Sequence, residues 1–504
     1  MAKSYWIESL GCPKNQVDSE KLEGTLLSSG YNRASKPESA DILVVNTCAF
    51  IESAREESIA TILDLAAVKR NGARLVVTGC MAERYGDELS RAMPEIDSVA
   101  GFGVPLTTTS SEKSPAATGL KTPLAAGISA DTSRAPSMDL LELPRPPRQS
   151  PWAYVKIAEG CNRKCGFCAI PSFRGTQRSR SMESIVSEVN SLGTEVHEVI
   201  LVAQDTASWG MDGKTLRHLD YALPDELPGR DPGTGSHPGF SGSSNTTFRA
   251  ASEMPSRARA SSGTHSSRPI IDLINELSGM VDMLRLLYLY PSSLNDQLIK
   301  AICSTGTPYF DMSLQHCSPS LLRRMRRWGN GERFLKIIDS IRSIEPEAVL
   351  RSSFVIGYPG ETENDHEMMM KFLEDASLDC AGFFPFSLEE GTFAQTLDNQ
   401  VPQDVIMRRI RECSEIQDSI MISRRAGQIG KTITALVESP GQARSYMEAP
   451  EIDGIIHVPL SIRVGSMASI VITGIQGYDL IGIPAKSSNI RLNVSKTLTG
   501  SHIS

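Results

Sequence analysis

The chain has 504 residues, a formal charge of −8, 40% hydrophobic residues and 22% charged residues. This length exceeds what one hydrophobic core organises, so we expect two to four domains. The sequence has no apolar run long enough to cross a membrane, and its N-terminus lacks the apolar region of a secretory signal. Nucleic-acid-binding proteins usually carry a basic excess, which this composition does not show.

Ten cysteines are spread along the chain without an export signal. Disulfides are rare in the reducing cytoplasm, where clustered thiols usually bind metal or carry redox chemistry. We therefore predict a cytoplasmic protein in which grouped cysteines are ligands.

The first hundred residues alternate between strand-like and helical patterns. The strand-like runs are Tyr5–Leu10, Ile42–Asn46 and Leu75–Thr78. This alternation predicts an open parallel sheet with helices on its faces over residues 1–106. Residues 107–150 are rich in Ser, Thr, Ala and Pro, and we predict a partly extended linker there.

Residues 151–427 repeat the alternation and predict a partial β/α barrel. Its predicted strands are Ala153–Ala158, Glu198–Ala203, Met283–Leu289, Tyr309–Leu314, Val349–Ile356 and Cys380–Phe386. Within it, residues 212–268 are dense in Gly, Ser, Pro and Thr, so we expect a disordered surface insertion. Short alternating strands with glycine-bearing turns over 428–484 predict a small antiparallel β-barrel, and residues 485–504 form a tail.

Three cysteines, Cys161, Cys165 and Cys168, stand at C-x3-C-x2-C spacing after the first predicted barrel strand. Three thiolates on a 4Fe-4S cluster leave one iron without a protein ligand, and that iron can chelate S-adenosylmethionine (SAM). A structural zinc site wants four protein ligands, and ferredoxin-type spacing wants a fourth cysteine nearby. The spacing therefore favours a SAM-binding 4Fe-4S cluster over zinc or three unrelated thiols.

Cys12, Cys48 and Cys80 each follow a predicted strand of the first domain. The carboxyl ends of parallel strands share one edge of a sheet, where ligands bind. We predict that these three thiols converge on an auxiliary 4Fe-4S cluster. The alternative is three buried cysteines that pack as small hydrophobic residues.

Four further residues are candidate SAM contacts. Phe167 lies within the cysteine motif, and Gln204, Gln315 and Gly357 follow predicted strands. Polar residues in such places can equally satisfy loop backbone groups. A basic run, Arg323–Trp328, is predicted to be a solvated helical face.

These motifs resemble the radical SAM methylthiotransferase family, and most of all its branch that modifies an aspartate of ribosomal protein uS12. The matching stretches are SLGCPKNQVDSE, NTCAFIESAREES, VTGCMAERYGDEL, YVKIAEGCNRKCGFCAIPSFRG, VILVAQDT, LRLLYLYPSSL, GYPGETENDH, FFPFSLEEGTFA and ARSYMEAPEIDG. The resemblance implies a cluster-bearing N-terminal domain, a radical SAM barrel and a C-terminal TRAM barrel. It also implies that Cys12, Cys48 and Cys80 hold the auxiliary cluster and that the other triad holds the SAM cluster.

The resemblance further implies a reaction in which one SAM donates a methyl group to a sulfur and another is cleaved to a radical. The radical takes a hydrogen from the aspartate β-carbon, which then receives the methylthio group. Such an unactivated C–H bond is beyond acid–base side chains and needs a cofactor. An electron donor such as a flavodoxin or ferredoxin is implied as a partner.

Two alternatives remain open from the sequence: a tRNA adenosine methylthiotransferase, and a non-catalytic iron–sulfur protein. The C-terminal segment 431–484 has three basic and five acidic residues. An RNA-binding module wants the reverse balance, whereas an acidic face suits a basic ribosomal protein. Nucleic acid is therefore not the predicted substrate.

Overall fold

A computed structural model of the chain describes residues 3–107, 139–148, 150–212 and 268–485. Most of the predicted linker, the predicted insertion apart from its two end residues, and most of the predicted tail lie outside the described residues. Among the helices that the structure describes, none has the length and apolar character needed to span a membrane.

The N-terminal unit is a five-stranded parallel sheet with the strand order β2-β1-β3-β4-β5. Its strands are β1 (Ser4–Ser9), β2 (Asn32–Arg33), β3 (Ile42–Thr47), β4 (Arg74–Gly79) and β5 (Ser98–Val99). Its helices are α1 (Pro13–Ser28), α2 (Glu52–Val68) and α3 (Cys80–Ala92). The predicted open α/β sheet is confirmed. Every residue of the central strand β3 is buried, as expected for a parallel strand covered on both faces.

The central unit is a partial barrel made of two three-stranded parallel sheets, β10-β9-β6 and β11-β12-β13. An isolated parallel bridge between Leu289 and Met312 joins them. The six strands are β6 (Trp152–Lys156), β9 (Glu198–Val202), β10 (Met283–Leu286), β11 (Tyr309–Gln315), β12 (Val349–Ile356) and β13 (Cys380–Pro385). A short hairpin of β7 (Ala158–Glu159) and β8 (Arg178–Ser179) lies beside the first strand.

Helices follow most of these strands, and six of them cover the outer face of the barrel: α5 (Met182–Ser191), α6 (Pro269–Ser278), α7 (Asp296–Cys303), α8 (Pro319–Arg324), α9 (Gly331–Ile344) and α10 (Glu363–Ala376). The short helix α4 (Ile170–Arg174) lies against the N-terminal unit instead. The largest hydrophobic core of the described residues lies between the outer helices and one face of the central strands.

The C-terminal unit is a closed five-stranded barrel that follows the long helix α11 (Gln403–Ala426). Its strands are β14 (Thr432–Ser439), β15 (Gln442–Arg444), β16 (Ile456–His457), β17 (Met467–Gln476) and β18 (Asp479–Pro484). The prediction of a small barrel is confirmed, with one correction. Strands β16 and β18 pair in parallel, whereas the other pairs are antiparallel.

The inner face of the partial barrel shares a core with the C-terminal barrel. Trp152, Tyr154, Ile200, Tyr309 and Val349 from the central strands pack in one apolar cluster with the interior of the small barrel. The C-terminal unit therefore closes the amino-terminal end of the central strands, and the opposite end faces the N-terminal unit.

The N-terminal unit is fixed to the central unit by buried charges. Glu389, in the loop after β13, accepts hydrogen bonds from Arg55 of α2 at 2.6 Å and from Arg84 of α3 at 2.8 Å. On the other side of α1, Arg145 from the described part of the predicted linker pairs with Glu20 and Glu188. These contacts hold the carboxyl ends of both sets of strands together.

Candidate functional site

The cysteines Cys161, Cys165 and Cys168 lie in the loop between the β7 hairpin strand and α4. Two hydrogen bonds fix this loop: the Cys161 amide donates to Gly175 O at 3.0 Å and the Gly166 amide donates to Met325 O at 2.7 Å. Burial raises the pKa of both Cys161 and Cys168 to about 12. Metal ions bound to these sulfur atoms would offset the effect of burial and favour the thiolates.

Two donors reach the sulfur atoms of this triad. The backbone amide of Arg163 donates to Cys161 Sγ at 3.4 Å, and Arg327 Nη1 donates to Cys165 Sγ at 3.1 Å. The guanidinium of Arg327 also lies 4.5 Å from the ring centroid of Tyr290. The prediction of a solvated helical face over Arg323–Trp328 is wrong for this residue. The helix α8 ends at Arg324, and the chain then turns Arg327 inward, where its side chain is buried.

The other triad stands where three neighbouring strands of the N-terminal sheet end. Cys12 follows β1 and caps α1, Cys48 follows β3, and Cys80 follows β4 as the first residue of α3. Gly11 has φ +88°, and a Cβ there would lie 2.8 Å from Cys48 Cβ. A side chain at this position would separate the first two cysteines.

Asn15 ties these three strand ends to one another. Its amide nitrogen donates to Leu10 O at 3.1 Å and to Thr47 O at 2.9 Å. Its Oδ1 lies 3.6 Å from Cys80 Sγ. The structure thus brings together the three cysteines that the sequence separates by dozens of residues.

Cations next to the second triad act differently on its three thiols. Burial alone would raise the pKa of Cys12, but Lys14 and Arg174 outweigh it and the pKa falls below the usual value. Burial dominates at Cys48, whose pKa rises to about 11, and also raises the pKa of Cys80. Arg174 Nη2 nevertheless donates to Cys80 Sγ at 3.0 Å, so a thiolate there has a charged partner.

The donor chemistry of both triads fits an iron–sulfur cluster. Each offers three thiols and charged or backbone N–H donors to sulfur. Of the other four cysteines, Cys317 and Cys413 are in the hydrophobic core, Cys303 packs against it and Cys380 begins β13. Among the described residues, no three His, Cys, Asp or Glu side chains converge closely enough for one metal ion. A cluster takes each thiolate on a different iron and does not require such convergence.

Gln204 and its neighbours carry unused hydrogen-bonding capacity at the end of β9. Gln204 Nε2 donates to Glu159 at 2.8 Å, while Gln204 Oε1, Asp205 Oδ1 and Thr206 Oγ1 are buried and have no partner within the described part of the chain. Buried polar atoms without partners are costly in a folded protein unless a ligand or water completes them. These atoms are suited to the amino or hydroxyl groups of SAM.

The other predicted SAM contacts have structural surroundings of their own. Phe167 lies edge-on to Tyr358, with ring centroids 6.5 Å apart. Gln315 ends β11 at φ +72°, a backbone conformation that a residue with a side chain adopts only at some cost. Gly357 has φ +85°, and a Cβ there would overlap Ile406 of α11, so packing alone requires this glycine. Their contacts with SAM stay predictions.

Sequence reasoning missed the three arginines of the site, Arg163, Arg174 and Arg327. Arg163 Nε donates to Asp205 at 2.8 Å, and its guanidinium lies 3.8 Å from the Tyr290 ring centroid. Arg163 lies within the C-x3-C-x2-C motif and Arg174 lies just after it, and this closeness to the motif could have indicated that both belong to the site. Arg327 offered none, because a basic run is typical of exposed helices.

The predicted acidic face of the C-terminal barrel is wrong. Glu448 and Asp453 are buried, at 0% and 4% side-chain exposure, and pair with Arg425 and Arg351. Glu438 pairs with Arg444. Three of the five acidic residues of this segment therefore balance arginines inside the protein, and the charge count says nothing about the substrate.

A six-stranded partial β/α barrel with three cysteines after its first strand defines a radical SAM enzyme. Models of three families match the chain: the uncharacterized protein family UPF0004 over residues 4–101, the Radical SAM superfamily over 155–232 and 248–373, and the TRAM domain over 429–484. The order of these matches is the order of the three structural units.

Three curated relatives that match nearly the whole chain carry the name ribosomal protein uS12 methylthiotransferase RimO. The protein of Moorella thermoacetica is 35% identical and covers 94% of this chain and 98% of its own. That of Akkermansia muciniphila is 35% identical over 94% and 98%, and that of Kineococcus radiotolerans 34% over 96% and 97%. The chain belongs to the RimO family of radical SAM methylthiotransferases. It is an enzyme of that class and uses SAM with an iron–sulfur cofactor.

Proposed function

We propose that this enzyme attaches a methylthio group to the β-carbon of an aspartate in ribosomal protein uS12, using two 4Fe-4S clusters. The names of the relatives support uS12 as the substrate, and one structural observation carries the two-cluster chemistry. Two separate thiol triads lie at the carboxyl ends of strands in two adjoining units, and a single short segment, Cys168–Arg174, leads from one triad to a contact with the other. An enzyme that joins a radical to a sulfur atom needs two such centres close together.

In this proposal each triad holds one cluster. Cys161, Cys165 and Cys168 hold the cluster that binds SAM, and Cys12, Cys48 and Cys80 hold the auxiliary cluster. When bound, the clusters and SAM supply a carbon radical at the substrate and a sulfur that carries the methyl group.

The residues around the triads have supporting roles. Arg327 and Arg174 each donate to one cysteine sulfur and so favour the thiolate. Gln204, whose Oε1 has no hydrogen-bond partner among the described residues, faces SAM together with Phe167, Gln315 and Gly357. The arginine pairs of Glu389 hold the N-terminal unit over the barrel and keep water from the reacting groups.

The proposal places the protein in the cytoplasm, where its ribosomal substrate is made. Its electrons come from a small redox protein such as a flavodoxin or ferredoxin. The electron donor is tested by comparing SAM cleavage with three electron sources: flavodoxin with its reductase, ferredoxin with its reductase, and dithionite. SAM cleavage seen only with dithionite would contradict it.

Mass spectrometry of uS12 tests the substrate. A host strain that lacks its own enzyme is supplied with this gene, and uS12 is expected to gain one methylthio group on an aspartate. The matched control carries the gene with Cys12→Ala. An unmodified uS12 together with a new methylthio group on tRNA adenosine would replace the proposal by the tRNA-modifying function.

Anaerobic reconstitution tests the chemistry. The protein is expected to bind two clusters and to release 5′-deoxyadenosine from SAM under strong reductant. Bound clusters without any 5′-deoxyadenosine would indicate a non-catalytic iron–sulfur protein.

A further inference from the structure

The side chain of Arg174 crosses from the barrel unit to the cysteines of the N-terminal unit. Arg174 is the last residue of α4, and its Nη2 donates to Cys80 Sγ at 3.0 Å and to Asn15 Oδ1 at 2.7 Å. Both acceptors belong to the N-terminal unit. The guanidinium carbon also lies 4.7 Å from the ring centroid of Phe102, a residue of that same unit.

The other edge of this guanidinium is held by the barrel unit and by α1. Arg174 Nη1 donates to Glu159 Oε1 at 2.8 Å and lies 3.5 Å from Asp18 Oδ2. Lys156 pairs with both of these carboxylates. Because the side chain of Arg174 is only 3% exposed and both of its edges are bonded, its position next to Cys80 is fixed.

The segment that carries Arg174 is short and rigid. It starts at Cys168 of one triad and reaches the sulfur of the other triad within six residues, through the five-residue helix α4. Phe173, next to Arg174, packs against the core of the N-terminal unit that includes Cys80 and Met81. Cys168, in the triad of the barrel unit, is therefore connected by a short helix to Arg174, which donates to the triad of the N-terminal unit.

The other triad has a matching donor. Arg327 Nη1 contacts Cys165 Sγ at 3.1 Å, and Arg327 is buried like Arg174. Each triad thus has one cysteine sulfur that accepts a hydrogen bond from an arginine. The difference is that Arg327 and its triad share one unit, whereas Arg174 reaches its triad from another.

We infer that Arg174 is a positioning residue of the auxiliary cluster, which donates across the domain boundary to the Cys80 sulfur and raises that cluster's reduction potential. The inference rests on the proposed function, because it requires a cluster at Cys12, Cys48 and Cys80. Hydrogen bonds to cluster sulfur atoms favour the more negative, reduced state. Loss of the donor must therefore shift the potential to more negative values.

Two full-length parent proteins allow the clusters to be measured one at a time. The first carries Cys161→Ala, Cys165→Ala and Cys168→Ala and retains the auxiliary triad. The second carries Cys12→Ala, Cys48→Ala and Cys80→Ala and retains the SAM triad. Each is reconstituted anaerobically, and its reduction potential is obtained from a titration followed by electron paramagnetic resonance.

In the first parent, Arg174→Met is expected to shift the potential to more negative values. Arg174→Lys, which keeps the charge without the planar fork, should give a smaller shift in the same direction. Arg178→Met is the matched control, because that arginine is about half exposed and pairs with Asp139 instead of a cysteine. In the second parent, Arg327→Met should shift the potential and Arg174→Met should not.

Equal potentials for Arg174→Met and Arg178→Met in the first parent would overturn the inference. So would equal shifts from Arg174→Met in both parents, since these would indicate a general disturbance of the fold. If Arg174→Met binds no iron, Arg174→Lys decides: a shifted potential supports the inference and an unshifted potential contradicts it. A first parent that binds no cluster before any arginine is changed contradicts the proposed function itself.

Discussion

Glu198, the first residue of β9, accepts a hydrogen bond from Arg444 of the C-terminal barrel at 2.7 Å, and neither side chain is more than 2% exposed. Its other carboxylate oxygen accepts from Arg285 of β10, also at 2.7 Å. One carboxylate thus joins two units through two buried guanidinium groups. A partner removed from such an arrangement leaves uncompensated buried charge.

Glu198→Gln is expected to lower the free energy of unfolding by about 2–4 kcal/mol at neutral pH. Urea unfolding of the metal-free proteins, followed by tryptophan fluorescence, measures the change in unfolding free energy. Glu367→Gln, an exposed glutamate on α10, is the control and should change little. A loss no larger than that of the control would show that the buried pair contributes nothing to the junction.

This loss should depend on pH. Burial alone would raise the pKa of Glu198, but Arg444 and Arg285 outweigh it and hold the pKa below the usual value. A carboxylate with a depressed folded-state pKa stabilises the protein above its unfolded pKa of about 4.3, and that contribution disappears as the pH falls through the folded-state pKa. The difference between wild type and Glu198→Gln should therefore shrink below about pH 4. A constant difference down to acid pH would contradict this assignment.

Cys165→Ala should abolish SAM cleavage while leaving the auxiliary cluster bound. The remaining two thiols cannot hold a cluster whose third iron has lost its ligand. Iron content and release of 5′-deoxyadenosine are the measurements, with Cys303→Ala as the control cysteine outside both triads. Continued 5′-deoxyadenosine release would remove Cys165 from the set of ligands.

Cys48→Ala has the opposite expected pattern. SAM cleavage should persist, because the SAM triad is intact, while methylthio transfer to uS12 should be lost. The iron content should fall to about half that of the wild type, since one of the two proposed 4Fe-4S clusters would be missing. An unchanged iron content would contradict the ligand role of Cys48.

Glu389→Gln should loosen the N-terminal unit. The Oε2 atom of Glu389 accepts from both Arg55 and Arg84, and the side chain is 4% exposed. We expect faster amide hydrogen exchange in α2 and α3, and a destabilisation of about 2–3 kcal/mol. Glu390→Gln is the control, because the neighbouring side chain is exposed. Identical exchange in the two variants would show that Glu389 does not fasten the units.

Gly357→Ala should destabilise the barrel by about 2–4 kcal/mol, through both the positive φ and the overlap with Ile406. Gly306→Ala is the matched control, with φ +75° and open space, and should cost about 1 kcal/mol. In the double variant with Ile406→Ala, the overlap is relieved and the combined loss should be less than the sum. Strict additivity would contradict the packing explanation.

The strand–helix order of the first two units was predictable because its signals are local. Apolar runs such as Ile42–Asn46 and turn residues after them identify each strand, and the shared edge of a parallel sheet then groups Cys12, Cys48 and Cys80. The short edge strands β2 and β5 were not predicted, because two residues carry no periodic pattern.

The long-range charge pairs could not be predicted. Arg174 and Cys80 are 94 residues apart, and Glu198 and Arg444 are 246 apart, so neither pair leaves a pattern in the sequence. A count of charges also cannot distinguish a buried glutamate such as Glu448 from an exposed one. For this reason the charge count made the C-terminal barrel look acidic, although Glu438, Glu448 and Asp453 pair with arginines of the protein itself.

The apolar cluster that Tyr154, Ile200 and Tyr309 share with the small C-terminal barrel has an evolutionary consequence. The C-terminal barrel closes one end of the central barrel and shares its core, so it is not an independent domain that could be removed. A gene shortened near codon 428 would expose these side chains to water. Evolution can therefore change the outer surface of the C-terminal barrel but cannot remove the barrel. Recombination that exchanges this unit must also exchange the apolar residues of the central strands that pack against it.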